Sequence, residues 1–569
     1  MDTSPSRESQ LSEPLIPSPA GNEEQCEVAM HEDHCANEAP GVGDVVLEDD
    51  DVDRIGPHES IVSADTPWYK CSMQLVAMLS NYSTSYNVVN IAMVIPILER
   101  TIPGTTADDT AASASSLLAG MMAGQLLGGY LGDSPLLGRL GALQVVVALQ
   151  VIASVACASL WTHVSRDRFY ILLAAFRFLL GVGAGGVYPL AAVLSAEQGE
   201  NKEGNVAHPG VEEEESEEHK QKQAHRVVLT FSTQGLGFIT APLVASILLY
   251  TTTNLETVWR VILALGSLPG LLLLVFQLWI HRKNSHVAVP LEEDFGRETV
   301  VAVDTRNADT ELGVMGQEVP LDSGEQDDNG VLLQDIQRME EELREEPSRW
   351  EVIRSEPNLV QKLLGTAGTW FLFDVLFYGN TLFQPIVIEA AFGPSKKGSG
   401  DEIAELREMA VNSLILTAIA LPGYAVAGVV IGKRVCCILQ SPKYVMMQGF
   451  CAMSALYLAI GLNWTFLRHT PALLVLLYGM TFFFANYGPN TSTFILPSLV
   501  FSPTCRTTLN GVSAAAGKLG ALTGATLFEP VAEKYGDAHV MCICSAIAIL
   551  AFMMTFKFVQ MHPRNDQSL

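Results

Sequence analysis

The chain has 569 residues, 49% of them apolar, and carries 62 acidic against 34 basic side chains, a formal net charge of -28. So acidic a balance excludes a nucleic-acid binder, and it coexists with that apolar content only if the charge is segregated away from long apolar runs. The composition is that of an all-α polytopic membrane protein.

In chain order, the first 66 residues hold seventeen acidic and two basic side chains and no apolar signal-peptide core. This predicts a disordered acidic cytoplasmic tail over 1–68. Within it, Ser12-Glu13-Pro14-Leu15-Ile16 has the pattern of an acidic dileucine sorting signal, so a vacuolar or endosomal membrane stands beside the plasma membrane as an expectation. His31, His34 and Cys35 are too loosely spaced for a zinc site, and the ten cysteines are scattered, so no metal, cofactor or disulfide is expected.

Apolar windows of about 20 residues predict twelve helices, near 73–98, 112–131, 138–160, 169–194, 226–250, 258–281, 363–388, 410–432, 444–463, 471–498, 507–528 and 538–560. They group as a six-helix bundle over 69–283, with an acidic loop at about 199–223, an acidic cytoplasmic central loop over 284–360, a second six-helix bundle over 361–560, and a short tail at 561–569. Residues 331–343 of the central loop have apolar positions at helical spacing and predict a short amphipathic helix. An even helix count places both chain ends on one side. The basic clusters Lys220/Lys222/Arg226, Arg282/Lys283 and Lys433/Arg434 flank helices on that side, which makes it cytoplasmic; Lys396, Lys397 and Arg407 on the other side oppose this bias.

Polar residues inside the apolar spans carry the functional signal, because each costs free energy unless it has a partner or a task. In the fourth helix, glycines from Gly181 to Gly186 read as a packing stripe, and Tyr188-Pro189 follows them where a helix can deform toward a cavity. The fifth helix places Gln234 among apolar residues. Trp370, Asp374 and Tyr378 recur every fourth residue and share one helical stripe. Pro489 breaks the tenth helix beside Asn490, and Lys518 lies near the middle of the eleventh, where an ion pair with Asp374 is its simplest structural role. Lysine attracts an anion, the aromatic and amide groups donate hydrogen bonds, and an ionised aspartate only accepts. Such a set favours an oxyanion that still carries a proton, such as phosphate, over sulfate. No nucleophile–base pair, metal cluster or P-loop points to an enzyme.

Four of these segments resemble one family. They are Gly-x-Gly-x-Gly-Gly-x-Tyr-Pro-Leu at 181–190, Trp-Phe-Leu-x-Asp-x-x-x-Tyr-Gly at 370–379, Gly-Pro-Asn-x-x-Thr-Phe at 488–494 and Gly-x-Ser-Ala-Ala-Ala-Gly-Lys-Leu-Gly at 511–520. Together they are similar to the phosphate:proton symporters of the major facilitator superfamily, the high-affinity phosphate transporters of plants and fungi. The resemblance implies twelve transmembrane helices in two bundles, alternating access, and Tyr188, Gln234, Trp370, Asp374, Tyr378, Asn490 and Lys518 as phosphate ligands. It also implies a gate pair, Asp133 and Arg139, although two extra residues separate Asp133 from the glycine of that motif.

Two departures bear on coupling. Val187 stands where the family has aspartate, and Ser83-Thr84-Ser85-Tyr86-Asn87 replaces a Thr-Asp-x-Tyr-Asp segment. Asp374 remains as a protonation candidate and Glu197 as a second, with sodium coupling and uncoupled flux also open. The expectation is a secondary active transporter of inorganic phosphate in a lipid bilayer, with a proton or sodium ion as co-substrate. A glycerophosphodiester or other organic-phosphate transporter, and a phosphate-sensing receptor without net transport, are the alternatives.

Overall fold

A computed structural model describes residues 67–198, 212–285, 348–392, 402–435 and 438–560. The acidic tail up to residue 66, the motif at 12–16, the helix expected at 331–343 and the tail at 561–569 lie outside the described residues, while residues 67 and 68, expected as the tail's end, open α1. The first half contains α1 (Pro67–Thr101), α2 (Ala107–Gly132), α3 (Gly138–Ala158), α4 (Arg166–Glu197), α5 (Glu212–Thr251), α6 (Leu255–Leu265) and α7 (Leu268–Ser285). The second contains the short α8 (Arg349–Ser355) and α9 (Leu359–Leu363), then α10 (Thr369–Phe392), α11 (Glu402–Ala420), α12 (Pro422–Val430), α13 (Pro442–Leu462) and α14 (Trp464–Leu467). It continues with α15 (Pro471–Ala485), α16 (Thr491–Val500), α17 (Arg506–Tyr535) and α18 (Asp537–Phe558), and a two-stranded ribbon, β1 (Arg434–Val435) and β2 (Ile438–Leu439), follows α12.

Several predicted spans are split in two for reasons written in the chain. Pro269 sits at the start of α7 and Pro422 at the start of α12, and each lacks the amide that would continue the preceding helix. The carbonyl of Gly266, freed at the first break, accepts a 2.7 Å hydrogen bond from Asn87. π-Helical turns at Leu364–Gly368 and Asn486–Asn490 join α9 to α10 and α15 to α16. Joined in this way, the segments make twelve spans among the described residues. Eight of them are long and apolar enough to cross a membrane on composition alone. The other four, α1, α2, α10 and α17, include the polar run Ser80–Asn87, Asp374 and Lys518.

Two stretches expected as loop are helical. Helix α5 spans Glu212–Thr251, so residues 212–223 are helical. Within the expected central loop, α8 is nucleated by a capping box between Ser348 and Glu351.

The glycines of α4 are framework, as their spacing predicts. A Cβ placed on Gly181 or Gly185 would lie 2.3 or 2.2 Å from a backbone oxygen of α2. Reciprocally, one on Gly120 or Gly124 would lie 2.1 Å from an α4 carbonyl oxygen. Backbones this close exclude any side chain, and in lipid such contact replaces the hydrophobic effect as the force that holds helices together. The same device joins the two halves: a Cβ on Gly511 in α17 would lie 2.3 Å from the Gln125 carbonyl oxygen in α2.

Candidate substrate site between the two halves

Asp374 in α10 and Lys518 in α17 meet at 2.8 Å, each with a side chain only 3% exposed. Lys518 also donates to the Tyr378 hydroxyl at 3.1 Å, and its ammonium lies 4.5 Å from the Tyr378 ring centroid and 5.8 Å from that of Tyr188. The indole of Trp370, one turn before Asp374, is a hydrogen-bond neighbour of the carboxylate. Trp370 packs on α17 at Gly517, where a Cβ would lie 2.5 Å from the indole. The four-residue spacing thus becomes a wall in which the carboxylate and the phenol contact Lys518 and the indole packs on the adjacent Gly517.

A second chain of polar groups runs across the interface from the N-terminal half. Tyr188 in α4 donates to Gln234 Oε1 in α5 at 3.2 Å, and Gln234 Nε2 donates to the Tyr424 hydroxyl in α12 at 3.3 Å. Asn490 Nδ2 reaches the same hydroxyl at 3.0 Å and Asn486 Oδ1 at 2.8 Å. Phe494 closes the group, with its ring centroid 5.9 Å from that of Tyr188 and 4.6 Å from that of Phe231. The structure therefore brings all seven sequence-predicted residues into one cluster built from both halves, six of them buried and Tyr378 half-buried.

Tyr424 escaped the sequence reading, although it joins Gln234 to Asn490. Its only signal is a tyrosine among small apolar residues in Gly423–Val430, without a motif around it. Asn486 escaped as well. The π-turn forms around Pro489, and it lets Thr491 Oγ1 bond the Asn486 carbonyl at 2.5 Å while the Asn486 side chain bonds the Ala420 carbonyl at 3.3 Å.

Asp133 and Arg139 lie away from this cluster, at the face that bears Pro67 and Phe558. Asp133 accepts from the Thr507 and Thr508 amides at 3.3 and 2.7 Å and from the Thr508 hydroxyl at 2.7 Å, so a carboxylate of the first half caps α17 of the second. Arg139 is 3.9 Å from Asp133, donates to Pro503 O at 2.9 Å and Thr507 Oγ1 at 3.2 Å, and is ion-paired with Glu197. Glu197 therefore belongs to this staple and not to the Asp374 cluster, because α4 carries it more than two turns beyond Tyr188 to the end of the helix. At the opposite face the halves meet through Arg100 and Glu405, 2.8 Å apart, and through Arg407, which donates to the Leu249 carbonyl at 2.9 Å.

The Major Facilitator Superfamily profile matches residues 75–525. Among curated relatives, the chain is 28% identical to the probable inorganic phosphate transporter 1-12 of Oryza sativa subsp. japonica, with 87% of this chain and 90% of that one covered. It is 29% identical to the low affinity inorganic phosphate transporter 4 of Petunia hybrida, with 86% and 88% covered. Among solved structures, the proton:xylose symporter XylE bound to 6-bromo-6-deoxy-D-glucose superposes with a TM-score of 0.56 at 15% identity, covering 87% of this chain and 96% of that one. A partially occluded inward-open form of XylE from E. coli gives 0.55 at 16% identity, covering 88% and 100%. Two helical halves closed around a shared buried polar cluster, and a profile match that runs through both, establish that this chain belongs to the Major Facilitator Superfamily.

Proposed function

We propose that the protein is a secondary active transporter that moves inorganic phosphate across a membrane by alternating access, with a proton as the coupled ion. The observation that carries this reading is the buried Asp374–Lys518 pair, set among hydroxyl, indole and amide groups from both halves. The phosphate transporters among its relatives support the choice of anion.

The chemistry follows from charge balance. With Asp374 ionised, Lys518 is neutralised and offers an incoming anion little attraction. A proton on Asp374 leaves Lys518 uncompensated, and a monovalent phosphate then restores neutrality at a depth where net charge is costly. Proton and phosphate thus enter the site together, and departure of one expels the other. Gln234, Asn490 and Trp370 supply donors for phosphate oxygens, whereas Tyr188, Tyr378 and Tyr424 both donate and accept and so suit an anion that carries its own hydroxyl. Both the Asp133–Arg139–Glu197 staple at one face and the Arg100–Glu405 and Arg407–Leu249 contacts at the other are formed in this arrangement, and access alternates by breaking one set while the other holds. In this scheme Glu197 holds the gate and carries no proton. The basic clusters on α5, at the end of α7 and after α12 support a cytoplasmic assignment for the face bearing Pro67 and Phe558.

The test is phosphate flux into proteoliposomes with pH and sodium gradients imposed separately. Uptake driven by an inward proton gradient, indifferent to sodium and reduced at least about 100-fold by Asp374→Asn, as expected for a group essential to the cycle, is the expected result. Sodium-driven uptake, or unchanged flux in Asp374→Asn, overturns the coupling scheme. Uptake of glycerophosphodiesters in preference to phosphate overturns the substrate.

A further inference from the structure

Arg177 in α4 is a fully buried guanidinium, 0% exposed. Its Nη1 donates to Asn90 Oδ1 in α1 at 3.3 Å, while Nε and Nη2 are enclosed and have no hydrogen-bond partner. Among the described residues no carboxylate is ion-paired with it, and its titratable neighbour is the thiol of Cys157 in α3. The surrounding side chains of α1 are neutral and largely committed elsewhere: Asn87 donates to Gly266 O at 2.7 Å and Ser83 O at 3.0 Å, and Thr84 to Gln150 at 3.1 Å.

An arginine cannot relieve this situation by losing its proton, as a buried lysine can. Water can satisfy its open N–H groups but leaves the charge uncompensated, whereas a small anion does both. Arg177 and Tyr188 lie eleven residues, or three helical turns, apart and so face the same way, at a separation of about 16 Å along the axis. Arg177 is therefore nearer than the Lys518 cluster to the face where α4 begins.

We propose that Arg177, with Asn90, forms a second anion site within the N-terminal half, one that takes a compact monovalent inorganic anion independently of Lys518. Two sources share that chemistry: chloride, as a standing counter-ion, and monovalent phosphate, as a passenger held on its way to Tyr188. The counter-ion source is independent of which solute the protein transports, whereas the staging source rests on phosphate being that solute.

The test uses purified full-length protein carrying Asp374→Asn and Lys518→Met, so that the central pair makes no contribution. Thermal unfolding is followed in gluconate while sodium chloride or sodium phosphate is titrated in. A saturable rise of several degrees is expected, as for any ligand that binds only the folded state. Adding Arg177→Gln should weaken the apparent affinity about tenfold or more, the cost of losing charge-assisted hydrogen bonds. Should Arg177→Gln not fold, Arg177→Lys serves, with a retained but several-fold weaker response. Saturation by chloride identifies a counter-ion site and saturation by phosphate a staging site. The absence of any saturable response in the double variant, or a response indifferent to either Arg177 substitution, overturns the proposal. Neither result depends on flux, so the transport reading stands or falls separately.

Discussion

Lys518 in the C-terminal half and Arg177 in the N-terminal half are both cations at membrane depth, and the two halves hold them differently. Lys518 has a carboxylate at 2.8 Å and a phenol at 3.1 Å, so its charge and its donors are answered from α10. Arg177 has one amide oxygen at 3.3 Å and two open nitrogens. A buried ion pair can lose and regain a counter-charge by moving one proton, which suits a group that must bind and release. A guanidinium with no carboxylate can neither switch itself off nor be switched by a neighbour, which suits a fixed charge that borrows its counter-ion.

The comparison breaks most sharply at the pair itself. Lys518→Met strands Asp374, and Asp374→Ala strands Lys518; each should cost about 3–5 kcal/mol, because one buried charge is left uncompensated. The double variant Asp374→Asn/Lys518→Met should regain much of that stability while flux stays absent. Thermal unfolding beside phosphate uptake measures both, and additive losses in a double variant would mean that the pair does not act as a unit.

The reverse manipulation gives the N-terminal half what the other half has. Asn90→Asp keeps the shape and places a carboxylate against Arg177, so it should raise stability by about 1–3 kcal/mol, the scale of a charged hydrogen bond. The same change should erase the saturable response to added anion. A stability unchanged by Asn90→Asp would indicate that Arg177 is already compensated.

Tyr424→Phe removes the hydroxyl shared by Gln234 and Asn490. Gln234 Nε2 loses its acceptor and Asn490 Nδ2 keeps only Asn486 Oδ1, which costs about 1–3 kcal/mol of stability; loss of the hydroxyl as a partner for bound phosphate should separately raise the KM roughly tenfold with the fold retained. An unchanged KM would remove Tyr424 from the site.

The smallest effect concerns Glu356, between α8 and α9. Its carboxylate is buried, which alone would raise its pKa, but hydrogen bonds from Lys362, the Ser502 amide and Cys505 outweigh this and hold it below the usual carboxylate range. A carboxylate with a depressed folded-state pKa contributes stability that is complete above its unfolded value, about 4.3, and is lost as pH falls through the folded value. Glu356→Gln should therefore lower stability modestly at neutral pH, where the ionised carboxylate contributes fully, and flatten the acid limb, so that the variant and the native protein converge below about pH 4. Unfolding midpoints across an acid series would detect the difference, and parallel acid limbs would refute it.

Much of the central cluster was legible in the chain. Trp370, Asp374 and Tyr378 declare a common face by spacing alone, and Lys518 announces itself as a charge where lipid tolerates none. Tyr424 was not legible, since a tyrosine in an apolar helix reads as packing until the amides on either side of its hydroxyl are known. Glu197 was legible as an acid and a second protonation candidate, but its partner was not. Its position in the chain marks it as a buried-helix acid, and only the return of the α2–α3 turn beside the end of α4 pairs it with Arg139. The breaks at Pro269, Pro422 and Pro489 were available in principle, because proline removes the same donor everywhere. What replaces the donor, a clean interruption in two cases and a π-turn in the third, depends on neighbours.

By itself the sequence determined where apolar runs cross the bilayer and which polar residues lie at depth, because in lipid an unsatisfied group is too costly to be accidental. It also determined the small-residue stripes that let backbones touch. Tertiary structure alone decided who answers whom: that Asp374 meets Lys518, that Tyr424 spans the interface, and that Arg177 meets no acid among the described residues. Pairing at that depth is fixed by helix rotation and by the angle between packed helices, and neither is written at any single position of the chain.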